Sequence, residues 1–411
     1  MTAPLFENSV EANGVAPFAS HVPTLRFALM VAVAVLPLYA SQTLIPALNA
    51  SLHLGSAITL VTALTLLGYA VGLVLLVPLV DRWPNRALIA GTLSAQVVCL
   101  AVAAAAPSAA LFLCASFAVG VSASAVQMLV PAAASLAPPQ ARGKVVGNVM
   151  SGLMLGILLS RPLASIVGGA FGWRGFFAAD AVLVAAATLL VVPRLPDIRP
   201  SGAPSYAALI ASMGRLIATE PVLRQRALYQ GLLMAGFNAF WSSVAVVLTR
   251  TPLNLDTTHI ALFALAGGGS VIVAPLAGRL GDRGHTTRTT AVAHCITLVA
   301  TVCAACALGG MPRGVSIGLL VVAACAIDGG VIADQALGRR AINLLAPQSR
   351  GRVNGLYTGL FFIGSACGAA IAGPALARWG WPGVCTATFI FFAAAALLHI
   401  VDRLRANAPG R

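Results

Sequence analysis

The chain has 411 residues, of which 59% are apolar and 9% charged, with a mean hydropathy of +0.92. Soluble domains run at about 45–50% apolar and about 25% charged, so this chain has too few polar groups to cover a water-facing surface and its solvent must be largely lipid. The net charge of +14 argues against a nucleic-acid partner, because the cations are spread over short separated segments instead of forming one patch.

In chain order, residues 1–26 carry Glu7 and Glu11 and no basic stretch ahead of the first apolar run. They read as a cytoplasmic N-terminal segment and not as a cleaved signal. Apolar runs of about 20 residues, enough to cross about 30 Å of hydrocarbon, then begin near Phe27, Ala57, Ala87, Ala109, Val145 and Gly175. A second set begins near Gln225, His259, Thr289, Val315, Val353 and Gly383. The runs are continuous, not alternating, which predicts helices and not barrel strands. The fold expected is an all-α membrane protein of twelve transmembrane helices: a six-helix bundle over 27–192, a linker over 193–224, a second six-helix bundle over 225–403 and a tail over 404–411. In the linker, Pro193, Pro196, Pro200 and Pro204 precede a stretch from Tyr206 to Glu220 with Leu209, Met213, Leu216 and Ile217 at helical spacing. That pattern predicts an amphipathic helix on the membrane surface.

The arginines set the orientation. With the N-terminus inside, 20 of the 25 Lys and Arg residues fall in inner segments and only Arg174, Arg250, Arg313 and Arg378 in outer loops; Arg161 lies within a span. That bias predicts both termini in the cytoplasm. All eight cysteines, Cys303 and Cys306 of a C-x-x-C among them, fall in spans. They read as small apolar side chains and not as a disulfide frame or metal site.

The chain also repeats itself. The stretch from Pro139 to Gly147 aligns with that from Pro347 to Gly355 at an offset of 208 residues, and the same offset takes Gln127 to Gln335, Gly156 to Gly364, Gly172-Trp173 to Gly380-Trp381 and Gly175 to Gly383. Six spans separate the copies, so both halves point the same way. Parallel repeats of this kind place a substrate site at their interface near the membrane midplane.

Two inner loops carry a further signal. Val77-Pro78-Leu79-Val80-Asp81-Arg82-Trp83-Pro84-Asn85-Arg86 follows the second span, and Gly278-Arg279-Leu280-Gly281-Asp282-Arg283 through Arg288 follows the eighth. In each, an aspartate able to cap or pair with a neighbouring helix end sits beside arginines able to clamp one. Asp81, Arg82, Arg86, Asp282, Arg283 and Arg288 are therefore the candidate gating residues. The pattern resembles the signature loop of the major facilitator superfamily, and the resemblance spans the whole chain. Gly68-Tyr69-Ala70-Val71-Gly72 leading to Pro78, with Arg142-Gly143-Lys144-Val145 and Gly172-Trp173-Arg174, looks like the drug/proton antiporter and sugar-efflux branch. The first loop departs from the family in having Val77 for the usual glycine and Trp83-Pro84 in place of another. The arginine that branch often carries in the fourth span is absent from Phe117 to Gln127, and its fifth-span motif is altered to Ser160-Arg161-Pro162.

Charge inside a span is costly and marks a site. Four such residues stand out: Arg161, Asp180, Asp328 and Asp334. Arg161, about 24 Å from the inner end of its span at about 1.5 Å per residue, either faces a central cavity as an anion contact or packs near the outer surface. Asp328, near the middle of the tenth span, is the candidate proton-coupling residue; a fixed ion pair, for instance with Arg161, is the alternative. Asp334 is expected to pair with Arg339 or Arg340, and Asp180 with Arg174. Spans one, four, seven and ten line the cavity in the family, which implies Tyr39, Gln42, Gln127, Asn238, Trp241 and Gln335 as substrate contacts beside Arg161; Trp241 also reads as an interfacial anchor.

No G-x-x-x-x-G-K-[ST] loop is present, so ATP drive in this chain is excluded at the motif level. The reading is a monomeric secondary transporter in a cell inner membrane, without cofactor, that exports a small organic solute or drug against protons by alternating access. Proton-coupled uptake of an organic anion is one alternative, and a membrane sensor that transports nothing is another.

Overall fold

The computed structural model describes residues 24–138, 140–195, 197, 205–345 and 350–407. The N-terminal segment before Thr24, the linker prolines Pro196, Pro200 and Pro204, and the last four residues of the tail lie outside the described residues. The described residues are helical with no strand, as the continuous apolar runs require.

Ten helical stretches are long and apolar enough to cross a membrane. Eight measure 21 to 31 residues, and two, Arg142–Arg194 and Arg352–Arg405, measure 53 and 54. A continuous helix of that length would run about 80 Å, far beyond the hydrocarbon core. Each is interrupted at a glycine in the left-handed region, Gly172 at φ 72° and Gly380 at φ 62°. Only glycine takes that conformation without cost, and the two are related by the repeat offset.

In the first half, α1 (Thr24–Val35) and α2 (Pro37–Leu52) form one span broken at Leu36, where Pro37 starts the second segment. Next come α3 (Leu60–Leu75), α4 (Asn85–Ala105), α5 (Ala109–Ala123), α6 (Ala125–Ser135) and the interrupted α7 (Arg142–Val191). A surface helix, α8 (Tyr206–Thr219), is capped by Ser205. In the second half are α9 (Pro221–Thr249), α10 (Thr257–Ala264), α11 (Val273–Asp282), α12 (Thr286–Cys306), α13 (Arg313–Asn343) and the interrupted α14 (Arg350–Asn407). A 3₁₀ segment, Leu265–Ile272, joins α10 to α11 within one span.

Large apolar side chains such as Ile166, Leu189, Val299 and Ile400 point outward, the pattern of a surface whose solvent is lipid. Without a hydrophobic drive between helices in lipid, close approach supplies the packing energy. A Cβ on Gly156 would strike the Ala32 backbone, and one on Gly364 the Gly231 backbone. These glycines occupy equivalent repeat positions and seat α7 on α1 and α14 on α9.

The halves meet along α3 and α14, where Gly359 packs against Val74 and Ala70, and again at the end away from Thr24. There the Ser165 hydroxyl donates to the Thr257 carbonyl at 2.7 Å and the Gly373 amide donates to Thr59 at 2.9 Å. At the opposite end a cavity of about 700 Å³ opens between Val77, Asp81 and Val146 of the first half and Arg352, Asn354 and Gly355 of the second. The surface helix borders it. Leu209 and Met213 of α8 are buried, Tyr206 donates to the Leu75 carbonyl at 2.9 Å, and Arg352 donates to Ser212 at 3.1 Å. The helix predicted from apolar spacing thus touches both halves at the Thr24 end.

Candidate functional site

Midway along the bundle a cavity of about 120 Å³ is lined from both halves. Tyr39 of α2, Gln127 of α6 and Arg161 of α7 face Asp328 and Gln335 of α13 across it. Aromatic walls come from Tyr69, Phe237, Phe361 and Phe362, and Gly267 in the 3₁₀ segment closes one side.

Arg161 is buried, and its surroundings show how a cation is kept there. Its Nε donates to Gln42 Oε1 at 2.7 Å; Gln42 Nε2 donates to Asn238 Oδ1 at 3.0 Å; and Asn238 Nδ2 donates to the Met234 carbonyl at 3.0 Å. This chain of amides crosses from the first half to the second. The guanidinium carbon lies 4.2 Å from the Trp241 ring centroid, 5.2 Å from Tyr39 and 5.4 Å from Phe237. Taking a cation out of water costs several kcal/mol. A desolvated cation–π contact returns about 2 kcal/mol and a hydrogen bond to a charged group about 1.5–3 kcal/mol, so these contacts offset much of it. Arg161 Nη2 nevertheless remains buried with no hydrogen-bond partner.

Trp241 joins the two charges. Its ring carries Arg161, while its Nε1 donates to Asp328 Oδ1 at 2.8 Å. Arg161 and Asp328 therefore share a cavity and one indole without a direct ion pair. Trp241 is only 2% exposed, so it is part of the site and not the interfacial anchor that its place near the span end suggested. Behind the cavity wall, Gln42 and Asn238 act on Arg161 through their amides. Gln127 donates to Tyr69 at 3.2 Å, so the repeat-matched glutamines Gln127 and Gln335 do reach one cavity.

Several expected pairings are different in the structure. Asp334 turns away from Arg339 and Arg340 and lies 3.7 Å from Arg226 and 3.6 Å from His294. Six residues along a helix rotate a side chain well off the Asp328 face, so Asp334 points into the second half. Arg226, read from sequence as an inner-segment cation, is in α9, and Arg339 lines the central cavity. Asp180 does not meet Arg174. Both its oxygens are buried without a hydrogen bond, while Arg174 donates to the Ala106 carbonyl at 3.0 Å and stacks on Trp173.

The two signature loops also differ. Arg340 donates through Nε to Asp282 at 2.8 Å. Asp81, Arg82, Arg86, Arg283 and Arg288 make no ion pair among the described residues. The offset of 208 gives the reason, since Arg340 corresponds to Ala132 and the first loop has no arginine opposite it. Sequence reasoning missed Phe237, Phe361, Phe362, Gly267 and Arg339 as cavity residues. A phenylalanine or glycine in an apolar span carries no signal of which side it faces.

A bundle of apolar helices in two repeated halves, enclosing at their junction a mainly apolar cavity with a few charged and amide side chains, is the architecture of a multi-pass membrane transporter. The comparisons give the family: the Major Facilitator Superfamily profile matches residues 27–338 and 260–410, and the chain belongs to that superfamily. The "Uncharacterized transporter YgaY" of Escherichia coli O157:H7 is 34% identical over 339 residues, 82% of this chain and 84% of that protein. The "Probable transporter SCO4007" of Streptomyces coelicolor is 33% identical over 362 residues, 87% of this chain and 82% of that protein. Among solved structures, a bacterial homolog of the human lysosomal transporter Spinster, in an inward-facing and occupied conformation, superposes with a TM-score of 0.71 at 16% identity. It covers 95% of this chain and 98% of that one, a likeness of fold.

Proposed function

We propose that the protein is a proton-coupled secondary transporter of the inner membrane that exports a small organic solute by alternating access around the central cavity. In this reading the two stretches interrupted at Gly172 and Gly380 are two spans each, giving twelve. Residues 27–192 and 225–403 are the two bundles, 193–224 is the linker, and both termini are cytoplasmic. The end holding Asp81 and α8 is then the cytoplasmic side, and the cavity is open inward and closed outward. The chain works as a monomer with substrate and protons as its ligands.

The observation that carries the reading is the pairing of Arg161 with Asp328 across Trp241, in a cavity both halves line. A substrate with an apolar ring fits the walls of Tyr39, Tyr69, Phe237 and Phe361. Asp328 exchanges the coupling proton, and Trp241 reports its charge to Arg161. When Asp328 loses its proton its attraction for Arg161 rises; when it gains one, Arg161 is released toward a substrate oxygen. Tyr39, Gln42, Gln127, Asn238, Trp241 and Gln335 position these groups, and the loop pairs around Asp81 and Asp282 govern the inward opening. The resemblance of Gly68 to Pro78 to the efflux branch favours export.

The unpartnered Nη2 of Arg161 favours a second reading, uptake of an organic anion whose carboxylate seats there. A thermal-shift screen of detergent-purified protein against lipophilic cations, sugars and organic anions separates the two, with Arg161→Ala beside the wild type. Stabilisation by an anion that disappears in the variant supports the second reading. Stabilisation by uncharged or cationic aromatics that survives in it supports the first. No stabilisation by any class would contradict a binding cavity.

A further inference from the structure

A second group of buried ionisable side chains lies inside the C-terminal half, away from the central cavity. Asp334 of α13 is fully buried, and neither oxygen accepts a hydrogen bond. His294 of α12 is 1% exposed, and neither ring nitrogen has a hydrogen-bond partner. The two face each other at 3.6 Å, and Arg226 of α9 approaches the same carboxylate oxygen at 3.7 Å. Buried polar groups are paired in nearly all folded proteins, and each exception asks for a reason. Here three ionisable groups meet from three helices, at distances just beyond hydrogen-bonding range, with a carboxylate between a guanidinium and an imidazole.

The neighbours define the charge balance. From α9, Tyr229 packs its ring edge-on to His294 and to His399 of α14 and donates to Asp402, which also accepts from Gln225. His399 contacts the Thr287 carbonyl at 3.2 Å and stands 5.6 Å from the His294 ring. Tyr357 of α14, with its hydroxyl buried and unpartnered, and Arg339 of α13 complete the charged and titratable groups within reach. Arg226 keeps one further contact, a hydrogen bond to Thr290 at 3.2 Å. Asp402 is satisfied by its own donors, which leaves the Arg226 guanidinium and the His294 imidazole as the groups that face Asp334. An added proton would set a second charged donor or a carboxylic acid O–H in the 3.6 Å gap, where a movement of a few tenths of an ångström completes a hydrogen bond between Asp334 and His294.

We propose that Asp334 and His294 form a proton-binding site within the C-terminal half, distinct from the central cavity and independent of any role of Asp328. The bound proton is held between the carboxylate and the imidazole. Its arrival weakens the attraction of Asp334 for Arg226, which falls back on Thr290 and the Tyr229 ring. Its departure draws α9 and α13 together and frees α12 from α13. The repeat places Val126 where Asp334 stands, so the first half has no copy of this site.

The test needs no substrate. pH-difference infrared spectra of the full-length protein in lipid are recorded for the wild type, Asp334→Asn, His294→Gln and Asp328→Asn, with folding checked by thermal denaturation. One component of the protonated carboxylic acid carbonyl band should titrate in the wild type, persist in Asp328→Asn and be missing from Asp334→Asn, where any component due to Asp328 remains. Its midpoint should move by about one pH unit or more in His294→Gln, the size of shift a contacting charge produces. A titrating band unchanged in Asp334→Asn would overturn the proposal, as would no titrating band in the wild type. Should Asp334→Asn not fold, the His294→Gln spectrum decides, and a midpoint equal to wild type rejects the site.

Discussion

Trp241 is the residue through which the two charges of the cavity meet, and it shows how one side chain does two electrostatic tasks. The ring face attracts the Arg161 cation and the ring nitrogen satisfies Asp328. Trp241→Phe keeps the face and removes the donor, leaving a buried carboxylate oxygen unpaired. That should cost about 1–3 kcal/mol of stability, read by chemical denaturation, and a loss equal to that of Trp241→Ala would mean that the ring face contributes nothing. Gly267 is constrained by the same pair. A Cβ there would strike the Asp328 carboxylate and crowd the Trp241 ring at 3.4 Å. Gly267→Ala should therefore destabilise by about 1–3 kcal/mol through overpacking and displace Asp328. A melting temperature equal to wild type would show that the carboxylate swings aside freely.

Helix ends and loops carry the next set of tests. Asp256 caps α10 by accepting from the His259 amide at 2.8 Å, and that amide holds its carboxyl below the usual carboxylate range. A depressed folded-state value means the cap's contribution is present above about pH 4 and lost as pH falls through the folded value. Asp256→Ala should accelerate amide hydrogen exchange over residues 257–264 at neutral pH, and acidified wild type should behave likewise; Asp256→Asn should not, since asparagine caps as well. In the two signature loops, Asp282 pairs with Arg340, whereas Asp81 has no ion pair among the described residues. Asp282→Ala should slow cycling more than Asp81→Ala while changing stability by less than about 1 kcal/mol, the worth of an exposed pair. Equal turnover in the two variants would remove the loop pair from gating.

The elements themselves were legible because each span is a long apolar run ended by Gly, Pro or arginine. The apolar run expected from Ala109 starts as α5 at that residue, and the repeat located both glycine interruptions. The site was half legible. A charge in lipid announces itself, so Arg161 and Asp328 could be picked out, and the glutamine pair came from the repeat. Their neighbours could not, since the rotation of a nearly all-apolar helix leaves no periodic trace: Phe237 and Phe361 look like any lipid-facing phenylalanine. Asp334 was misplaced for the same reason, its partners being chosen by closeness in sequence and not by helix face.

At the scale of the whole molecule, two equivalent bundles have come to carry unequal chemistry. Offset by 208, Asp328 corresponds to Gly120, Arg340 to Ala132, and Arg161 to Ala369. In the cavity the first half supplies Arg161, the second half supplies Asp328 and Arg339, and the amide chain through Gln42 and Asn238 ties the two halves across the interface. In the proposed mechanism, a proton gained or lost at Asp328 would change the attraction between the halves, as alternating access requires of a coupling site. The glycine seats hold α7 close on α1 and α14 close on α9. Gly364→Leu should push α14 off α9 and lower the melting temperature, and an unchanged one would mean that this seat is slack.

The most direct test of proton-driven transport centred on Asp328 is flux in proteoliposomes under an imposed pH gradient, using the compound that the thermal-shift screen identifies, for wild type and Asp328→Asn. Gradient-driven accumulation is expected in the wild type, with its loss in the variant and retained exchange of internal for external substrate in both. Gradient-driven accumulation at wild-type rate in Asp328→Asn would contradict a coupling role for Asp328.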